Sequence, residues 1–486
     1  MTKPDTEQSL DPENWEEMRQ LGHAMVDDVI DYLRNIRERP VWSAMPKDAK
    51  QQFEQGLPYQ PIDANEVYAD FMKYILPYNK GNVHPRFWAW VQGTGTPVSV
   101  FADMLAAAMN ANVTIGEQSA MYVDQQVVNW CREMMEYPET ASGMLVSGAS
   151  MANLTALLVA RNTMLEGVRN QGLQHFSGQP VMYCSTESHS CIDKAAEVMG
   201  LGKKGLQKIP VRSDYCMDVA SLRNQILEDI AAGKLPFAII GNAGTVNTGA
   251  IDPLHELAAT AKEFGLWFHV DGAFGALARL VPEYTPVLEA ISQSDSVAFD
   301  LHKWMYIPYE VGCVLIRDRQ MHRMAFSNTP TYLIQHERGL ASGLESLNHY
   351  GIELSRGFKA LKVWMAIRHY GMNALIRQIQ KNIQQALYLE QKIKSEPSLQ
   401  LMAPVTLNIV CFRFVYEGCS DVQLGEINKE IVMKLQEEGI ASPSYAILGG
   451  KYCIRVAITN HRSKTEDFDL LLTEVLRLGK KTGNLV

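Results

Sequence analysis

Five short segments of this chain hold residue types that could share one piece of chemistry. Lys303 lies in Asp-Leu-His-Lys-Trp at 300–304, just past the apolar run 296–299. Lysine is rarely buried without a partner or a task. A desolvated amine has the lowered pKa that attack on a carbonyl requires. Taken alone, the segment fits a solvated lysine at a strand end better. Asp271 closes Trp-Phe-His-Val-Asp at 267–271. A carboxylate at the end of a buried strand needs a cation or several donors, and a pyridinium nitrogen or a structural arginine would each serve. A spacing of about thirty residues between Asp271 and Lys303 leaves room for one helical crossover, which puts both on nearby strands of one sheet.

The other three segments supply flat-ring and anion chemistry. His189, in Ser-His-Ser at 188–190, follows the apolar run 181–184. It could stack on a ring or move a proton, and a helix-capping or exposed histidine has the same letters. Val-Ser-Gly-Ala-Ser at 146–150 joins a strand to a helix through small residues. There backbone N–H groups and the helix N-terminus can approach an anion, although an ordinary N-cap turn reads alike. Thr245 lies in Gly-Thr-Val-Asn-Thr-Gly at 244–249, a loop with hydroxyls and tight turns. Neither 146–150 nor Gln-Gly-Thr-Gly-Thr at 92–96 has the context of a nucleotide-binding loop. One cofactor would use all five segments. Pyridoxal 5'-phosphate needs an amine, an acid for its ring nitrogen, a stacking group and a phosphate cradle.

The elements that must position these residues follow from hydrophobic patterning. Apolar runs at 143–146, 181–184, 237–240, 267–270, 297–299 and 313–316 alternate with helical patterns such as 151–164 and 253–264. Strands with little polar alternation, separated by helices, predict a mostly parallel α/β sheet covered on both faces. Ligands in such sheets bind beyond the carboxyl ends of the strands, where the five segments fall. Upstream, Asp11-Pro12 predicts the start of an amphipathic helix stopped by Pro40. Downstream, one long helical pattern over 352–394 precedes strands at 407–414 and 452–458, with helices at 427–438 and 465–478. The expected division is an N-terminal arm over 1–90, a large domain over 91–385 and a small α+β domain over 386–486.

Composition narrows the partners. The net charge is −9, with no basic stripe, which argues against nucleic acid. No apolar run is long enough to cross a bilayer, and the polar, acidic start lacks the apolar stretch of a signal peptide. The eight cysteines are scattered singly, which suits reduced thiols in a cytoplasmic protein and predicts neither disulfides nor a metal site.

On these residues the chain resembles the group II pyridoxal-phosphate-dependent amino-acid decarboxylases, of fold type I, and within them the aromatic-L-amino-acid branch. The resemblance runs from His-Pro-Arg-Phe-Trp-Ala-Trp at 84–90 to Arg-Val-Ala-Ile at 455–458, and is most specific at 302–304 and 269–271. It implies that Lys303 forms the Schiff base, Asp271 pairs with the ring nitrogen and His189 stacks on the ring. It implies that Ala149 and Ser150 hold the phosphate, that Thr245 lies near the ring, and that Ser296, Asp300 and His302 complete the pocket. Thr-Pro-Thr-Tyr-Leu at 329–333 resembles the start of the family's mobile catalytic loop, with Tyr332 as proton donor and Gly339 and Gly343 giving freedom to close. Trp88, Trp90, Gly93 and Thr94 would face the substrate. The N-terminal arm would pack across a homodimer whose active sites lie at the interface.

What the resemblance implies is decarboxylation of an L-amino acid, aromatic in that branch, to an amine and carbon dioxide. Some positions depart from the branch: Asp300 replaces an asparagine, Trp90 and Gly93 replace a tyrosine and a threonine, and 110–114 is more polar. An acidic or sulfinic amino acid is therefore an alternative substrate. Loss of the proton donor would give an oxygen-dependent aldehyde synthase. A transaminase, a carbon–sulfur lyase and a non-catalytic scaffold are the other readings of this fold.

Overall fold

The computed structural model describes residues 9–328 and 336–483. Its strands in chain order are β1 (Phe87–Trp88), β2 (Ser142–Val146), β3 (Pro180–Ser185), β4 (Leu206–Ile209), β5 (Leu235–Asn242) and β6 (Trp267–Asp271). They continue with β7 (Ser296–Asp300), β8 (Gly312–Ile316), β9 (Leu399–Leu401), β10 (Ile409–Phe414), β11 (Ser442–Leu448) and β12 (Lys451–Ala457).

β2 to β8 form a seven-stranded sheet in the order β2-β8-β7-β6-β5-β3-β4. β8 is antiparallel to β2 and β7, and the remaining pairings are parallel. Parallel neighbours require long crossovers, which here are helices laid on the two faces. Ala149–Met164 and Cys191–Val198 cover one face; Ser119–Met134, Val219–Ala231 and Leu254–Phe264 contribute to the cover of the other. β3, β6, β7 and β8 are buried along their whole length, so their sequences read as unbroken apolar runs. β4 was not expected. It lies at the sheet edge with Lys208 exposed and Gln207 half-buried, so its pattern is too polar to read as core.

The second sheet has the order β1-β11-β12-β10-β9, with β1 parallel to β11 and the other pairs antiparallel. Asp421–Glu437 and Thr465–Gly483 pack on it. Two expected boundaries shift. β1 lies in the expected arm yet completes the small sheet, and position 385 falls inside the helix Met372–Lys394.

The single long pattern over 352–394 is two helices, Ala360–Tyr370 and Met372–Lys394. Gly371, at φ 72°, ends the first by adopting a conformation that other residues avoid. The N-terminal helix begins later than expected, at Trp15. Asn14, not Asp11, is its cap, accepting hydrogen bonds from the Glu16 and Glu17 N–H groups. Among the described residues no helix is long and apolar enough to cross a membrane.

Candidate active site

The carboxyl ends of β2, β3, β5, β6 and β7 open into one cavity of about 490 Å³. Five wall segments descend from those ends: Ser147 to Ser150, His189 with Cys191, Asn242 with Gly244, Asp271 with Ala273, and Asp300 with His302 and Lys303. Trp90, Val91, Gln92, Phe274, Tyr309 and Glu310 form much of the remaining wall.

Lys303 follows β7 in the short helix Leu301–Trp304, and its Nζ lies 2.9 Å from Asp300 Oδ2. His302 Nε2 is 3.6 Å from the same oxygen. The Val311 N–H donates to His302 Nδ1 at 3.1 Å, which leaves the His302 proton on Nε2, facing Asp300. The Tyr309 ring lies 4.3 Å from that imidazole, and burial lowers the His302 pKa. Asp300 Oδ1 is buried and, among the described residues, has no hydrogen-bond partner.

Asp271 is buried at the end of β6, and burial raises its pKa against the opposing pull of Lys303 and of the Ala273 N–H. That N–H donates to Oδ1 at 3.1 Å. His189 lines the same cavity, and the Cys191 N–H donates to its Nδ1 at 3.1 Å, so the ring presents Nε2–H. Partial burial of the ring lowers its pKa.

The anion cradle is the turn before Ala149–Met164. The N–H groups of Ala149 and Ser150 stand in the first turn, where a helix offers no carbonyl partner. A Cβ on Gly148 would come within 3.2 Å of His302 Cε1 and 3.6 Å of Asp300 Oδ1. Glycine there keeps the space between cradle and carboxylate open.

Five expected pocket residues, Ser296, Thr245, Trp88, Gly93 and Thr94, do not line the cavity. Ser296 sits at the start of β7, buried, bonded to Trp267 Nε1 and His269 Nδ1 at 2.8 Å each; an apolar strand separates it from the cavity. Thr245 pairs its hydroxyl with Thr248 at 3.0 Å and does not line the cavity, although Gly244 and Val246 do. Trp88 belongs to β1 and is drawn into the small-domain core, donating to Ser463 Oγ at 3.1 Å and stacking on Phe468. Thr94 is held under the same domain by His461 Nδ1, 2.6 Å from its hydroxyl.

Gly93 also stands behind the site, against the backbone of His302 and Lys303. Asn110, in the polar stretch 110–114, caps the helix Pro97–Met109 and is exposed, and none of that stretch lines the cavity. Tyr332 and the segment 329–333 lie outside the described residues.

Asn153, Asn242, Phe274, Tyr309 and Glu310 line the cavity without having been expected there, and Cys191, one of the scattered thiols, is buried in its wall. Asn242 had a signal: like Asp271, it is the polar residue that closes an apolar run. Tyr309 and Glu310 follow a helix of one turn, where no periodicity marks a facing side chain.

Arg455 ties the small domain to this site. From β12 its guanidinium donates to the carbonyls of Trp90 (2.9 Å), Asn247 (3.0 Å) and Val246, and to Ser444 Oγ. Two cavity walls are therefore fixed by one buried side chain.

Residues 46–415 match the family model described as the pyridoxal-dependent decarboxylase conserved domain. The chain belongs to that family. This decarboxylase is 34% identical over 472 residues to an aromatic-L-amino-acid decarboxylase of Bacillus atrophaeus, covering 96% of each chain. It is 28% identical over 460 residues to a phenylacetaldehyde synthase of Arabidopsis thaliana, covering 92% of this chain and 93% of that one. Its fold matches the crystal structure of Oryza sativa TDC with PLP and tryptamine at a TM-score of 0.89 and 23% identity, over 97% of this chain and 99% of that one. The fold is fold type I, and the chain is a lyase that uses pyridoxal phosphate to decarboxylate an amino acid.

The residues present fit that cofactor. The cavity holds an amine, a buried carboxylate, an imidazole and a glycine-walled helix N-terminus on a single rim. Among the described residues no group of three or more His, Cys, Asp or Glu is placed to hold a metal.

Proposed function

We propose that the decarboxylase acts on an aromatic L-amino acid, releasing carbon dioxide and the corresponding amine. The observation that carries this reading is the make-up of the cavity wall. The wall carries Lys303, Asp271 and His189 together with the apolar and ring surfaces of Trp90, Val91, Phe274 and Tyr309. Lys303 is the one lysine among the described lining residues, with no arginine beside it, whereas Asp271, Asp300 and Glu310 are acidic. A substrate with an acidic or sulfinic side chain would be repelled by Glu310, and the nearby cation Lys80 is already placed over the Trp90 ring at 4.2 Å. An aromatic side chain finds apolar and ring surfaces instead.

When bound, pyridoxal phosphate supplies the ring that accepts the electrons of the breaking bond. Lys303 provides the amine that anchors the cofactor. Asp271 would hold a proton on the ring nitrogen, and His189 would serve as the stacking group. The Ala149 and Ser150 N–H groups would hold the phosphate, with Asp300 oriented by His302. Tyr332 gives a proton to the substrate's α-carbon, which favours amine over aldehyde as product.

The working unit in this reading is a homodimer. The N-terminal arm carries an apolar groove of about 680 Å³ lined by Met18, Leu21, Met25, Val67 and Phe71, and Met104, Leu105 and Met109 are exposed on the helix Pro97–Met109. Patches of that kind mark interfaces. The eight free thiols suit a cytoplasmic setting.

Carbon dioxide release measured with tryptophan, tyrosine, phenylalanine, dopa and 5-hydroxytryptophan, against glutamate, aspartate and cysteine sulfinate, tests the substrate. Turnover confined to the aromatic group is expected. Turnover confined to the acidic group would overturn the reading.

A further inference from the structure

Beneath the cavity runs a line of hydrogen bonds that the reaction itself does not use. Trp267, His269 and Asp271 alternate along β6, so they share one face, the face covered by Ala149–Met164. Ser296 is the partner of His269 on β7. The Trp267 N–H donates to Ser296 Oγ at 2.8 Å. His269 Nδ1 lies 2.8 Å from the same Oγ, and His269 Nε2 lies 2.7 Å from Asn153 Oδ1. Asn153 Nδ2 faces Cys191 Sγ at 3.4 Å, and that sulfur is 4.0 Å from Asp271 Oδ2.

The donors and acceptors admit one direction. The Asn153 amide oxygen can only accept, so His269 carries its proton on Nε2 and accepts at Nδ1 from the Ser296 hydroxyl. That hydroxyl is free to donate because Trp267 donates to its oxygen. The Asn153 amide nitrogen then donates to sulfur, which leaves the thiol hydrogen for Asp271. Every donor in the chain points toward the carboxylate. Burial keeps each link neutral: it lowers the His269 pKa to about 3 and pushes the Cys191 thiol up to about 12. Ser296, His269 and Asn153 are fully buried, so water does not compete for these bonds.

We propose that Cys191 and Asn153 are positioning residues that hold Asp271 ionised and aimed at the cofactor's ring nitrogen, through a one-way hydrogen-bond chain that starts at Trp267. This rests on the reading that Asp271 faces that nitrogen. The chain acts on one oxygen, Oδ2, while the Ala273 N–H fixes the other. Aligned dipoles ending on a buried carboxylate favour its charged form, the form a protonated ring nitrogen needs. The two buried polar side chains on an otherwise apolar face are then explained, as is the serine far from the pocket.

The test uses two probes on the apoprotein: pyridoxal phosphate, and its 1-deaza analogue, in which ring nitrogen is replaced by C–H. Cys191→Val removes the donor and adds one methyl-sized group at the wall, an effect that falls on both probes alike. It is expected to weaken pyridoxal phosphate about tenfold more than the deaza analogue, equivalent to one decade in Kd. Ser296→Ala, which touches no cavity residue, is expected to give a smaller loss with the same selectivity, and it decides the matter if Cys191→Val does not fold. Equal weakening of both probes, or no change in either, overturns the proposal while leaving Asp271 in place. A wild-type protein that binds both probes equally removes Asp271 from the ring nitrogen, and the proposal falls with it.

Discussion

Lys303 Nζ lies 2.9 Å from Asp300 Oδ2, and among the described residues the second oxygen of that carboxylate is buried without a hydrogen-bond partner beside the Gly148 cradle. The pair is balanced only while the lysine keeps its charge. In the proposed reading Lys303 would be committed to the cofactor, leaving Asp300 beside the phosphate cradle with His302, 3.6 Å away, as its nearest partner.

Asp300→Asn removes that opposing charge. Binding of pyridoxal phosphate is expected to tighten by about tenfold, roughly 1.4 kcal/mol, while pyridoxal without the phosphate changes little. Equilibrium binding of both compounds to the apoprotein reads the difference.

Gly93→Ala tests the support behind the lysine. A Cβ there would fall 2.1 Å from the His302 carbonyl oxygen and 2.4 Å from that of Lys303, both backbone atoms that cannot swing away. A loss of about 1–3 kcal/mol is expected, together with reduced cofactor retention. Gly22→Ala, on an open face of the N-terminal helix, is the control and should be neutral or stabilising. Thermal unfolding and bound-cofactor absorbance report both.

Asp271 gives a pH signature in the apoprotein. Its pKa is raised in the folded state, so the folded protein binds the proton more tightly than the unfolded chain does. That stability is fully present below the ordinary carboxylate range and is lost as pH rises through the raised value. Apo Asp271→Asn should therefore melt above apo wild type at neutral pH, with the gap closing toward acid. The same variant should bind the cofactor far more weakly. Melting curves from acid to neutral pH, with and without cofactor, separate the two effects.

Arg455→Met should raise KM more than it lowers stability-corrected kcat. The guanidinium fixes the Trp90 carbonyl and the turn at Val246 and Asn247, which are walls and not reacting groups. Steady-state kinetics on the preferred amino acid checks the split.

The large sheet was legible because its inner strands are buried on both faces and read as apolar runs. Lys303, Asp271, His189 and the Ser147–Ser150 turn were legible for the same reason, as polar residues placed at the ends of such runs. Edge strands were not. β4 carries Gln207 and Lys208, and β11 alternates buried and exposed positions from Ser444 onward. Ser296 was misplaced because a resemblance gives adjacency in sequence, whereas β7 runs its whole length between Ser296 and Asp300, about 13 Å, and only its carboxyl end reaches the cavity. Asn153 was not legible because contacts between a helix and a strand end leave no local pattern. In hindsight the alternation Trp267, His269, Asp271 held the clue to what lies under the carboxylate.

The central claim is that Lys303 is the amine that takes the cofactor. Borohydride reduction of the holoprotein, followed by peptide mass mapping, tests it most directly. The account predicts a pyridoxyl-phosphate adduct on the peptide containing Lys303, and none in Lys303→Ala. An adduct on another lysine, or retention of the adduct in Lys303→Ala, would contradict it.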